Sequence, residues 1–192
     1  MRSMTSYSRQ QGFTLIEIII VVTIIGIIVG GVSVFITNDD PARLAKKDIE
    51  KFLTFADHAS DTAVIGGETV GLILEPPAWR EGIEDPGWAY KWQKNTIQGW
   101  VDIEAIPIVE ISRNIELIVL LNDQEWEWDK SQIPEIRIPI AAFYPSGEVS
   151  PFEIQFIEVN GAIDVQHVLV DLWGSVVWKE QQEELEEAER NF

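Results

Sequence analysis

The sequence predicts an α+β protein: a long N-terminal helix carrying a head of antiparallel β-sheets. Three observations lead there. Residues 13–36 form one apolar run, and residues 42–65 repeat apolar positions three and four apart. From residue 69 onward the chain breaks into short runs, alternating or uniformly apolar, separated by Pro and Gly. Helical spacing followed by many short β-type runs, with no βαβ alternation, is the pattern of an antiparallel α+β domain.

The apolar run, GFTLIEIIIVVTIIGIIVGGVSVFI from Gly12 to Ile36, holds one carboxylate, Glu17. Residues 13–36 would make about 36 Å of helix at ~1.5 Å per residue, enough for a hydrocarbon core of roughly 30 Å. A polar leader, MRSMTSYSRQQ, precedes it with Arg2 and Arg9 and no acid. A cleaved secretory signal has a shorter apolar core, of about 7–15 residues, and a small-residue cleavage site. Asn38-Asp39-Asp40-Pro41 stands in that place instead. A plain membrane anchor accounts for the length but not for Glu17, because a lone charge in a spanning helix costs ~2.5–3.5 kcal/mol. The basic leader is expected on the cytoplasmic side, which puts the remainder of the chain on the far side of the membrane.

The 192 residues have room for this anchor and one globular domain. With 32 acids against 14 bases the net charge is −18. That disfavours nucleic acid and anionic lipid head groups as partners, since affinity for both comes from Lys and Arg. The chain has no Cys, so disulfides, thiol nucleophiles and Cys-based metal sites are excluded.

Asp40-Pro41 reads as a capped helix start with Pro in the first turn. The helix that follows places Ala45, Ile49, Phe52, Leu53, Ala56, Ala59 and Ala63 on one face, and Gly66-Gly67 closes it. Strands are expected at residues 69–75, 88–92, 99–105 and 115–121, with Trp88, Tyr90 and Trp92 on one face of the second. Residues 135–144 and 151–159 flank the turn Pro145-Ser146-Gly147-Glu148 and read as a hairpin. Residues 162–171 and 175–178 read as another about Trp173-Gly174. The acidic tail, residues 179–192, reads as either a frayed polar helix or a disordered segment, with mobility favoured. The organisation is therefore a leader (1–12), a transmembrane helix (13–36), an amphipathic helix (37–66), a β-rich head (67–178) and the tail (179–192).

Nothing in the pattern points to catalysis. The two His, His58 and His167, lie in a helix and a strand, and Ser146 lacks the G-x-S-x-G elbow. Asn122, Asp123, Glu125 and Asp129 put oxygen ligands suited to calcium in one loop, but not at EF-hand spacing, so the expectation is no metal and no cofactor. Gly66-Gly67 is not followed by Lys-Ser/Thr and is no phosphate cradle. Trp126 and Trp128 project the same way from a polar loop. They are candidates either for a partner contact or for docking that loop onto the sheet.

Gly12-Phe13-Thr14-Leu15-Ile16-Glu17 resembles the processing motif of the type IV pilin superfamily, which includes the pseudopilins of type II secretion. The resemblance implies cleavage by a prepilin peptidase between Gly12 and Phe13, methylation of the new amine on Phe13, and retention of Glu17 as the fifth mature residue. The spacing also has a physical sense. The amine would sit four residues, ~6 Å of helix, from Glu17, and helices packed with a small axial stagger bring one chain's Glu17 to another chain's amine. In a low-dielectric setting each charge offsets the burial cost of the other. In the head, residues 67–72, 88–92, 138–152 and 170–176 resemble the GspH/FimT group, the H-type minor pseudopilins. That resemblance implies a pilin-like fold and a non-enzymatic structural subunit at the tip of a short periplasmic filament. The implied partners are the I, J and K minor and G major pseudopilins, with the chain single-pass in the bacterial inner membrane and no small-molecule substrate. The family's outermost K member typically lacks the acid at this position, so retaining Glu17 implies a subunit above this one. A minor pilin of a type IV pilus, and an anchored periplasmic binding module, are the other classes compatible with such a chain.

Overall fold

A computed structural model describes residues 15–36, 40–129, 134 and 136–190, with the side chains of the first helix described through Ile25. The leader, Gly12, Phe13, Asn38, Asp39 and part of the segment before Pro134 lie outside the described residues. Two compact units result, residues 1–39 and residues 40–192.

The first unit contains α1, Leu15–Ile36. Glu17 lies in its first turn, and Thr23 Oγ1 donates to Ile19 O at 2.7 Å, a local bond that satisfies the hydroxyl on an otherwise apolar helix. The aliphatic side chains from Leu15 to Ile25 are exposed on every side. Among the described residues no helix is long and apolar enough to cross a membrane.

The second unit is built around α2, Pro41–Gly66. The expected start holds: Asp40 caps it through Oδ1, which accepts from Ala42 N–H at 3.1 Å, and Pro41 occupies the first turn. Gly67, at φ 67°, ends it with its N–H on Ala63 O, a left-handed cap that a side chain would strain. Ala45, Ile49, Phe52, Ala56, Ala59 and Ala63 are buried, the face read from the spacing. Four of the six are alanine, which lets two sheets approach the helix closely.

Ten strands are present among the described residues: β1 Val70–Glu75, β2 Ala89–Thr96, β3 Gly99–Asp102, β4 Val109–Glu110, β5 Ile115–Leu121, β6 Gln124–Glu125, β7 Ala141–Phe143, β8 Phe152–Glu158, β9 Gln166–Val170 and β10 Val176–Trp178. The first sheet runs β3-β2-β1-β7 with β4 on β2; the second runs β10-β9-β8-β5-β6. All pairings are antiparallel. Trp88, Tyr90 and Trp92 are buried together as the alternation requires, and the β9–β10 hairpin forms around Gly174.

Two expectations fail. Residues 135–144 and 151–159 are not a hairpin. The turn does form, with Gly147 N–H on Tyr144 O at 2.9 Å, and Val149 returns to bridge Phe143, with Ser150 N–H on Ala142 O at 2.8 Å, but from Phe152 the chain pairs with β5 and β9 in the other sheet. The tail is not without structure: Lys179–Arg190 is a helix, α3, with no buried residue, which is the helical alternative rather than disorder. The β4 and β6 pairs were not legible at two residues each, and the strand expected at 99–105 ends at Asp102.

Phe52 joins the two sheets. Its ring meets Tyr90 edge-on at 5.3 Å and Trp92 at 6.2 Å on one side, and Phe152 and Phe156, each edge-on at 6.4 Å, on the other. Buried Asp48, one turn earlier, accepts from Ser112 N–H at 2.8 Å and ties the loop before β5 to α2.

Candidate functional site

The sequence offers two places where function could reside: the start of α1 and the polar loop with Trp126 and Trp128. Of the first, Glu17 is described, exposed in the opening turn of a helix that is apolar all round. Such a helix finds no stable place in water on its own and requires an apolar environment from lipid or other helices. A carboxylate in the first turn is also favoured by the helix dipole.

The loop is a different matter. Trp126 and Trp128 stand edge-on to Trp79 at 6.1 and 5.9 Å, and Trp128 meets Trp88 at 5.6 Å. Trp79 Nε1–H donates to Asp129 O at 2.9 Å. Trp126 N–H donates to Val119 O at 2.7 Å. Four tryptophans thus clasp the segment after β6 to the segments flanking β1 and β2, bridging the two sheets at one corner. Both Trp126 and Trp128 are half-buried against the core, packing that accords with the docking alternative. The clasp was missed in the sequence because Trp79 follows Pro76-Pro77 and carries no strand or helix signal.

His167 is the second unexpected centre. Its N–H donates to Glu180 Oε2 at 2.8 Å, and its ring Nδ1 lies 2.5 Å from Glu180 Oε1. Burial alone would raise the Glu180 pKa, but the hydrogen bonds from His167 outweigh it and hold the carboxyl below its usual range. This clip fastens the first turn of α3 to β9. At the other end of β8, Glu158 accepts from the N–H groups of Ala162 and Asn160 and from the amides of Asn160 and Asn114. Those bonds, the one from Ala162 foremost, lower its pKa. His58 lies on α2, apart from His167 in sequence and element, and among the described residues no three His, Asp or Glu side chains gather as metal ligands.

Comparison with known proteins adds to this geometry. Residues 7–33 match the family model of the prokaryotic N-terminal methylation motif. Over 182 residues the chain is 24% identical to the type II secretion system protein H of Aeromonas hydrophila, covering 93% of this chain and 98% of that one. With protein H of Escherichia coli K12 it shares 24% over 148 residues, 77% and 80% of the two chains. A solved structure of the minor pseudopilin EpsH from the type 2 secretion system of Vibrio cholerae superposes with a TM-score of 0.56, covering 70% of this chain and 94% of that one at 15% identity. The chain thus combines the methylation motif on an apolar helix with a head in which one helix packs on antiparallel sheets. Its likeness in sequence is to protein H of type II secretion systems, and its fold is that of the minor pseudopilin EpsH.

Proposed function

We propose that this chain is a minor pseudopilin of a type II secretion system, a structural subunit of the pseudopilus tip that helps start assembly and drive protein export across the outer membrane. The observation that carries the reading is the match to a secretion protein H over nearly the full length of both chains. The motif at residues 7–33, falling where the apolar helix begins, supports it. In this account residues 13–36 anchor the protein in the inner membrane and the head stands in the periplasm. A prepilin peptidase cuts between Gly12 and Phe13, Phe13 is methylated, and Glu17 pairs with the amine of a neighbouring subunit. The partners are the other minor pseudopilins and the major one. The protein does no chemistry of its own.

The test is the mass of the mature polypeptide from native membranes. It should begin at methylated Phe13, and Gly12→Val should retain the leader. A wild-type chain that still begins at Met1 would overturn the reading.

A further inference from the structure

The outer faces of the two sheets differ. On the first, a strip of the chain covers β1, itself leaving Ile136 and Ile138 exposed. Residues 136–140 lie over β1, so closely that a Cβ at Gly71 would stand 2.5 Å from Pro139 Cγ, and Ile73 and Glu75 beneath are buried. Charges there are matched: Glu75 with Arg137 at 2.9 Å and Lys91 at 3.8 Å, Asp102 with Lys91 at 3.5 Å, Glu68 with Lys94 at 2.9 Å.

The second sheet is open. Its register sets Leu120, Glu153, Leu169 and Val177 side by side on the outward face, with Ile118, Gln155 and His167 in the next row and Glu116 opposite Ile157 beyond. A solvated face of an antiparallel sheet ordinarily carries polar residues, and this one carries aliphatic ones in most rows. A groove of about 310 Å³ runs across its end between Leu120, Asp123, Glu153, Leu169 and Asp171. Beside it the tight turn after β9 holds out Trp173, 75% exposed. Asp171 Oδ1 fixes that turn by accepting from the N–H groups of Trp173 and Ser175. Glu116, Asp123, Glu153 and Asp171 have no cationic partner among the described residues.

We infer that the outward face of the β10-β9-β8-β5-β6 sheet is a docking surface for a partner protein whose contact patch is apolar with Lys or Arg at its rim. The aliphatic rows take the apolar part. The unmatched carboxylates take the cations, whose methylene stems lie along Leu120 and Leu169. A second copy of this chain is a poor occupant, since it brings the same acids and a net charge of −18. Anionic lipid is repelled for the same reason. The inference rests on the reading that the head works within an assembly of other proteins.

The experiment places a photo-crosslinking amino acid at Leu169, and in a separate strain at Val22 on α1, in the full chain in its own membranes. The Val22 probe reports helix packing with any sibling subunit. The Leu169 probe reports this face. Expected is a Leu169 crosslink to a different polypeptide, mapped by mass spectrometry to a patch containing Lys or Arg. The yield should fall at least tenfold in Glu116→Lys/Glu153→Lys, and should fall as salt is raised in the unsubstituted protein, a measurement that does not depend on the variant's folding. Crosslinks from Val22 with none from Leu169, or with Leu169 joined to a second copy of this chain or to an acidic patch, overturn the inference and leave the assembly reading standing. Silence from both positions overturns both. Yields indifferent to salt and to charge reversal overturn the electrostatic half of the match and with it the choice of partner.

Discussion

α1 and α2 are of similar length, 22 and 26 residues, and are made for opposite surroundings. α2 buries one face of alanines around Phe52 and shows Lys and Glu on the other, so its sequence is accounted for by the head it supports. α1 has no such division. From Leu15 to Ile25 exposed aliphatic side chains lie on every side, and its one acid sits in the first turn. The head explains the composition of α2; on the proposed reading, lipid and neighbouring subunits explain that of α1.

Substitutions sharpen that contrast. The largest effect on stability is expected from Phe52→Ala, which removes the ring that meets four aromatics from both sheets. A loss of about 3–5 kcal/mol is expected in denaturant unfolding, enough to leave the head marginal. A loss under ~1 kcal/mol would mean the sheets hold together without the helix. Next comes the double change Trp126→Ala/Trp128→Ala. Three edge-on pairs disappear, each worth ~0.5–1.5 kcal/mol beyond its buried area, so about 1.5–4.5 kcal/mol should go while unfolding stays cooperative. An unchanged melt combined with loss of partner binding would return these residues to the role of partner contact. Asp40→Ala removes the cap of α2 and should cost about 1 kcal/mol.

The smallest effect is in the pH profile. Glu158 is held below its ordinary pKa by the bonds it accepts, so its contribution is complete above the unfolded-state value, near 4.5, and disappears as the pH falls through the lower folded value. Thermal melts of the wild type should therefore weaken below about pH 4.5, and those of Glu158→Gln should weaken less over the same range. Equal acid sensitivity in both would show that other carboxylates dominate.

Much of this was legible because it is local. The Asp40-Pro41 start, the three-and-four spacing to Ala63, the closing glycine and the alternation of Trp88, Tyr90 and Trp92 all act within a few residues. What was not legible depends on distant partners. Pro145 to Glu148 does turn, but whether the strand after it returns to its neighbour is decided by competition for edges. There β1 takes β7, and β5 and β9 take β8. The tail looked mobile because its acids repel and it buries nothing. Its Glu, Gln, Ala and Leu are nonetheless good helix formers, and the His167–Glu180 clip anchors the first turn. The tryptophan clasp joins Trp79 to residues about fifty positions later, beyond the reach of any local pattern. At the proposed processing site the position was reversed, since motif and spacing were legible from sequence and Gly12 and Phe13 lie outside the described residues.

The central claim is that α1 serves contacts outside the chain while α2 serves the fold. Glu17→Ala in the full-length protein, expressed in its own membranes, separates the two most directly. The head should melt as in the wild type, and the chain should no longer co-purify with sibling subunits. Undiminished co-purification, or a head that loses stability when Glu17 is removed, would contradict it.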